Sequence, residues 1–183
     1  MKSMDQKDNK ICDDNVCLVG EEANGEEVLD LAPALDVSEW LNLPQTGLFD
    51  LANYRGKVVV ISAFQMLCPF CVTEALPQTQ RLYERFRSSD EVVVLGLHTV
   101  FEHHNVMNRE ALATFLAEFR YDFPVGIDRH FGNGRIPETM KRYRLRGTPS
   151  LIIIDKQGRL NEVLFGGVED LVLGVKLGKL VAG

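Results

Sequence analysis

No apolar run in this chain is long enough to span a bilayer, which excludes a helical membrane protein. Positive charge is in deficit: 20 Lys and Arg stand against 26 Asp and Glu, a net charge of -6. Nucleic acid and anionic membrane surfaces both want a basic face, so neither is expected as a partner. No apolar stretch follows Lys2, because Asp5 to Asn15 is almost wholly polar, and no secretory signal is visible. The expected location is therefore the cytoplasm, or the periplasm had a leader been removed. Cysteine is scarce, with 4 in 183 residues. In a reducing compartment a Cys pair is catalytic or metal-binding more often than it is a structural staple. Internal repeats are also missing, which sets aside solenoids and propellers.

What is present suits one globular domain with an appendage: 45% hydrophobic and 25% charged residues in a length ordinary for a single core. Charge is unevenly placed. Residues 1–27 hold eight acids against three lysines, a net -5 that leaves the remainder at -1. They read as an acidic, flexible tail, and 28–183 as the domain. The tail holds Cys12 and Cys17.

Along the domain, Ala34 to Val37 reads as a short strand, with Trp40 and Leu41 packing at the domain edge. Pro44 to Gly47 is a turn and Leu48 to Arg55 a linking segment. Val58 to Phe64 is continuously apolar and β-branched, the pattern of a central strand buried on both faces. Val72 to Arg87 is helical, with Leu76, Leu82, Tyr83 and Phe86 on one side and Pro77 kinking its first turns. Val92 to Leu97 is a second buried strand. Arg109 to Phe119 is an amphipathic helix through Leu112, Phe115, Leu116 and Phe119. Phe123 to Ile127 is a short strand and Pro137 to Tyr143 a short helix. Leu151 to Asp155, a Lys156-Gln157-Gly158 turn and Leu160 to Phe165 form a hairpin. Gly166-Gly167 breaks the chain before a closing helix from Val168 to Leu180, weakened by Gly174 and Gly178. Alternating strands and helices of this kind indicate an α/β sandwich.

Two motifs carry chemistry. Cys68-Pro69-Phe70-Cys71 joins the first buried strand to the helix after it. At a helix start the first sulfur lies near unpaired N–H groups and the positive end of the helix dipole, which favour thiolate. Cys68 is then the nucleophile and Cys71, one turn on, the resolving thiol. Pro69 fixes the loop and Phe70 gives it an apolar lip. The second motif is Arg146-Gly147-Thr148-Pro149-Ser150, ahead of the Leu151 strand.

With both motifs in this order, residues 30–180 resemble the thioredoxin-like superfamily, and the helix and strand within 100–127 resemble the insertion of its TlpA-like, ResA-like and peroxiredoxin-like members. The resemblance implies a three-layer α/β/α sandwich with a central mixed sheet and an inserted helix-strand. It implies that Pro149 is cis and that the Thr148 backbone pairs with an extended substrate segment. Glu74 matches a Glu found near such sites, where it would perturb the cysteines or assist proton transfer. Three positions depart from the pattern: Leu67 stands where a Trp is common, Pro77 lies one residue late, and Ser62 takes the place of the buried Asp of thioredoxin itself.

The functional reading is a thiol-disulfide oxidoreductase that reduces protein disulfides, taking a protein or small-molecule disulfide as substrate and a thiol as electron donor. A thiol-dependent peroxidase is the alternative, but the Thr of the peroxiredoxin Pro-x-x-x-Thr-x-x-Cys motif is Gln65 here. A thioredoxin-like binding module with little turnover is the third reading. No cofactor or metal is expected: Cys12 with Cys17, or His103-His104, could complete a zinc site with the Cys pair, but the proline between the cysteines favours redox chemistry. Cys12 and Cys17 are either incidental or a relay pair exchanging with Cys68. His98 is a strand-end residue beside the site or part of it. Glu102-His103-His104 reads as solvated loop sooner than metal cluster. Lys141, Arg142, Arg144 and Arg146 form a solvated face or a selector of acidic partners.

Overall fold

The computed structural model describes residues 30–43, 49–132 and 134–183. The tail, with the expected relay pair Cys12 and Cys17, and the turn at Pro44 to Gly47 lie outside the described residues. Six strands form one mixed sheet: β1 (Val37–Leu41), β2 (Val58–Phe64), β3 (Val92–His98), β4 (Val125–Asp128), β5 (Ser150–Ile154) and β6 (Leu160–Phe165), in the order β1-β4-β3-β2-β5-β6. Among the described residues four α-helices accompany it: α1 (Leu76–Phe86), α2 (Arg109–Glu118), α3 (Glu138–Arg142) and α4 (Asp170–Ala182). β2, β3 and β4 run parallel, while β5 runs antiparallel to β2 and β1 antiparallel to β4. No helix among the described residues is long and apolar enough to cross a membrane.

Strand alternation builds the three layers. In β2, Val58, Val60 and Phe64 face one side, where they pack with α1, α2 and α4; Val59, Ile61 and Ala63 face α3 and the segment that precedes β2. Every residue of β2 is buried, as its unbroken apolar run requires. β3 lies beside it in unbroken register from Val58↔Val92 to Phe64↔His98. Gly96 is a packing necessity: a Cβ there would lie 2.8 Å from the Phe123 ring and 3.2 Å from that of Phe64. Its bare backbone lets the two rings close over β3.

Some boundaries differ from the sequence reading. The first strand is Val37–Leu41 rather than Ala34 to Val37, because it starts where it can pair with β4, with a bulge between Val37 and Glu39. Leu51–Tyr54 of the linking segment is a 3₁₀ turn whose start is capped by the Asp50 side chain. Pro137 is the residue before α3 rather than its first turn. Phe119 is half exposed at the end of α2, whose buried residues are Leu112 and Leu116. α4 runs through both of its glycines, which face open space.

Candidate active site

The carboxyl end of β2 passes directly into the Cys loop. Cys68 N–H donates to the Gln65 carbonyl at 3.1 Å and Val72 N–H to the Cys68 carbonyl at 3.1 Å, which turns the chain into a helical path. The first turn is not α-helical. Cys71–Ala75 is a π-helical turn, in which Leu76 N–H reaches back to the Cys71 carbonyl. Pro77 accounts for it: with no N–H, it cannot bond the Thr73 carbonyl as an α-helix would require, and the turn widens. The Thr79 hydroxyl then donates to the Ala75 carbonyl at 2.7 Å. The expected kink is therefore a local widening, and it begins at the second cysteine.

Both cysteines are free thiols, Cys68 partly exposed and Cys71 fully buried. Cys71 N–H donates to the Cys68 sulfur at 3.4 Å. The Cys68 thiol lies 3.6 Å from the Thr148 carbonyl and donates to it. Burial, reinforced by the bond to Cys68, pushes the Cys71 thiol up to about 12, against the backbone of Gln65 and the Thr148 contact. Cys71 is therefore held as a thiol at neutral pH.

The facing wall is the segment before β5. The Thr148–Pro149 bond is cis. Ser150 Oγ donates to the Gly147 carbonyl at 2.7 Å and Gly166 N–H to the Pro149 carbonyl at 2.9 Å, pinning the loop from both sides. Phe165 lies against Gly147, with the Arg146 guanidinium 5.5 Å from its ring centre. Between this wall, α1 and α4 opens a cavity of about 510 Å³, floored by Ser62 and rimmed by Phe70, Glu74, Pro149 and Asp170. The Phe70 ring sits over Gly167, where a Cβ would lie 2.8 Å from it. Leu67, in the place of the usual Trp, and Phe70 each leave about half of their surface exposed, 53% and 47%.

Other residues singled out in the sequence fall as follows. Glu74 is exposed on the cavity rim, and burial and Cys68, not Glu74, dominate the shift of Cys71. His98 is buried at the end of β3, its ring 5.3 Å from Phe64. Burial alone pushes it down to about 4, so it is neutral, and its Nε2 has no partner among the described residues. The His104 ring meets that of His130 at 4.9 Å, and no group of three or more His, Cys, Asp or Glu among the described residues is arranged to hold a metal. All four residues of the basic run, Lys141, Arg142, Arg144 and Arg146, are exposed, and two of them make surface ion pairs, Lys141 with Glu138 at 2.6 Å and Arg142 with Asp36 at 2.6 Å.

Three site-end residues escaped the sequence reading. Gln65, weighed there only as a replaced Thr, is buried; its Oε1 accepts from Phe101 N–H at 3.3 Å and its Nε2 donates to Glu102 at 3.4 Å. Thr99 N–H donates to the Phe64 carbonyl at 3.0 Å. Asp128 is buried and accepts from Thr99 and from the start of α3. The signal for Asp128 was a helix opening on Pro137, which has no side-chain acceptor and so needs one from elsewhere.

Residues 28–163 match the AhpC/TSA family. A thiol-disulfide isomerase from Corynebacterium glutamicum is 50% identical, with a TM-score of 0.76 over 83% of this chain and 97% of that one. A thioredoxin-like superfamily protein is 47% identical, with a TM-score of 0.79 over 84% of this chain and 97% of that one. Protein DipZ of Mycobacterium bovis is 28% identical over 131 residues, 71% of this chain but 17% of its own length. The chain thus spans about a sixth of the curated relatives it matches.

Proposed function

Since this chain belongs to the AhpC/TSA family and is a thioredoxin-like protein of the thiol-disulfide oxidoreductase type, we propose that it reduces protein disulfides through Cys68 and Cys71. One observation carries the reading. A partly exposed sulfur, Cys68, lies within 3.4 Å of the Cys71 N–H and 3.6 Å of the Thr148 carbonyl, with a buried second thiol one turn behind it.

The Cys68 thiolate attacks one sulfur of the substrate disulfide. That S–S bond breaks, the departing sulfur takes up a proton, and a mixed disulfide forms. Cys71 then loses its proton and attacks the Cys68 sulfur, releasing the substrate's second thiol. The substrate gains two electrons and two protons, and the 68–71 pair becomes a disulfide that an external thiol reduces again. Burial keeps Cys71 protonated until the mixed disulfide forms, so the first attack falls to Cys68. Thr148 offers its backbone to an extended substrate segment, and Leu67 and Phe70 supply apolar contact beside the sulfur.

A peroxidase would need a hydroxyl close to the first cysteine. Position 65 instead carries an amide already engaged by Phe101 and Glu102. The test is insulin reduction with dithiothreitol as donor: wild type turns over, Cys68→Ser loses all enzymatic turnover, and Cys71→Ser accumulates a mixed disulfide on Cys68. Equal turnover by wild type and Cys68→Ser would sink the reading.

A further inference from the structure

We propose that Asp128 is a positioning residue that sets both walls of the site at once. It ends β4 with 2% of its surface exposed. Oδ1 accepts from the Thr139 N–H at 2.8 Å; Oδ2 accepts from the Met140 N–H at 3.0 Å and from the Thr99 hydroxyl at 2.9 Å. One carboxylate thus satisfies three donors from two separate segments.

The first segment leads to the cysteines. Thr99 N–H holds the carbonyl of Phe64, the last residue of β2, at 3.0 Å, and two residues on Phe101 N–H holds the Gln65 side chain. Residues 99–101 are therefore a strap across the stem of the Cys loop, anchored from behind by Asp128. The second segment leads to the facing wall. Pro137 gives α3 no side-chain cap, so Asp128 supplies one from another strand. The short helix runs into Tyr143 and Leu145, both buried, with Leu145 N–H on the Met140 carbonyl at 3.0 Å. Gly147 and Thr148 follow at once. A displacement of α3 is passed to the Thr148 carbonyl, and a displacement of Thr99 to the loop that carries the Cys68 sulfur. These are the two groups that meet at 3.6 Å.

A local cap on α3 would steady that helix alone. Sharing the cap with Thr99 ties the two walls to one point, and misplacement of reacting groups by about 1 Å is enough to cost about a hundredfold in rate. Asn cannot replace Asp here, because it presents one acceptor oxygen and turns an NH₂ toward a donor.

The inference rests on the proposed reductase reading, and its test separates the two. In the full chain, Thr99→Val removes the hydroxyl while leaving the α3 cap, Asp128→Asn disturbs both, and the double variant combines them. Folding is checked by thermal unfolding. The rate at which iodoacetamide alkylates Cys68, resolved by peptide mass, is read beside insulin-reduction kcat and KM. Thr99→Val is expected to fold, to change the Cys68 alkylation rate about threefold or more and to lower kcat/KM about tenfold. The double variant should match Asp128→Asn rather than multiply the two effects. A folded Thr99→Val with wild-type alkylation and kinetics overturns the proposal, as does simple additivity. If Asp128→Asn does not fold, Thr99→Val decides alone. If wild type fails to reduce insulin, the reductase reading falls and the alkylation rates still decide this one.

Discussion

At the end of the sheet where β2, β3 and β4 finish, the protein buries Gln65, His98, Thr99, Asp128, Thr139 and Ser150; at the opposite end it is packed by Val58, Val92, Ile153 and Leu177, with Asp155 held by Arg159. The two ends are held by different physics. Apolar contact has no direction and tolerates repacking, whereas hydrogen bonds fix angles and leave a costly orphan when broken. Apolar clusters line both ends, around Val58 and Leu177 at one and around Phe64, Leu112 and Phe123 at the other, but where the cysteines stand a set of buried hydrogen bonds is added to fix geometry.

Three substitutions sharpen or break this division. Ile153→Ala, at a fully buried position of the apolar end, should cost about 2–5 kcal/mol in urea unfolding. Insulin turnover measured below the transition should stay within about twofold of wild type, since ordering of the site does not depend on that packing; a folded but inactive variant would erase the distinction. His98→Leu probes the polar end. A histidine pushed down to about 4 contributes stability that is present above pH 6.5 and is lost as pH falls through 4. Wild type should lose roughly 3 kcal/mol over that window on this account, and His98→Leu should flatten the acid limb by that amount. Unfolding free energies at pH 7 and pH 4 compare them, and parallel losses would show that His98 is not the sensor. The smallest effect is a gain: Gly178→Ala, in the half of α4 that lies toward the apolar end, faces open space and should add up to about 1 kcal/mol without changing turnover.

The two ends also differ in how much of them could be read from sequence. β2 and β3 were legible almost to the residue, because strands buried on both faces must be apolar throughout. The Cys-x-x-Cys loop and Thr148-Pro149 were legible because their spacing is itself the chemistry. Less could be seen wherever one residue's role is set by another far along the chain. Gln65 showed only as a missing Thr, because its partner Phe101 is 36 positions away, and Thr99 and Asp128 are 29 apart. The register of β1 was invisible for the same reason, since pairing with β4 and not its own composition decides where the strand begins. Pro77 marks a disturbed helix in the sequence without saying whether the helix bends or widens.

Cys68 and Thr148 are 80 residues apart, yet they touch because β5 runs against β2. The chain leaves one strand and enters its neighbour at the same edge, so the site is a junction between two strand ends rather than a property of one segment. The intervening passage is free to lengthen outward. α1, β3, α2, β4 and α3 fill it, and β4 with β1 extends the sheet on the side of β3 remote from β5. Such an arrangement separates two kinds of change: additions between the motifs alter what surrounds the sulfur, while the junction that holds it stays where two adjacent strands put it.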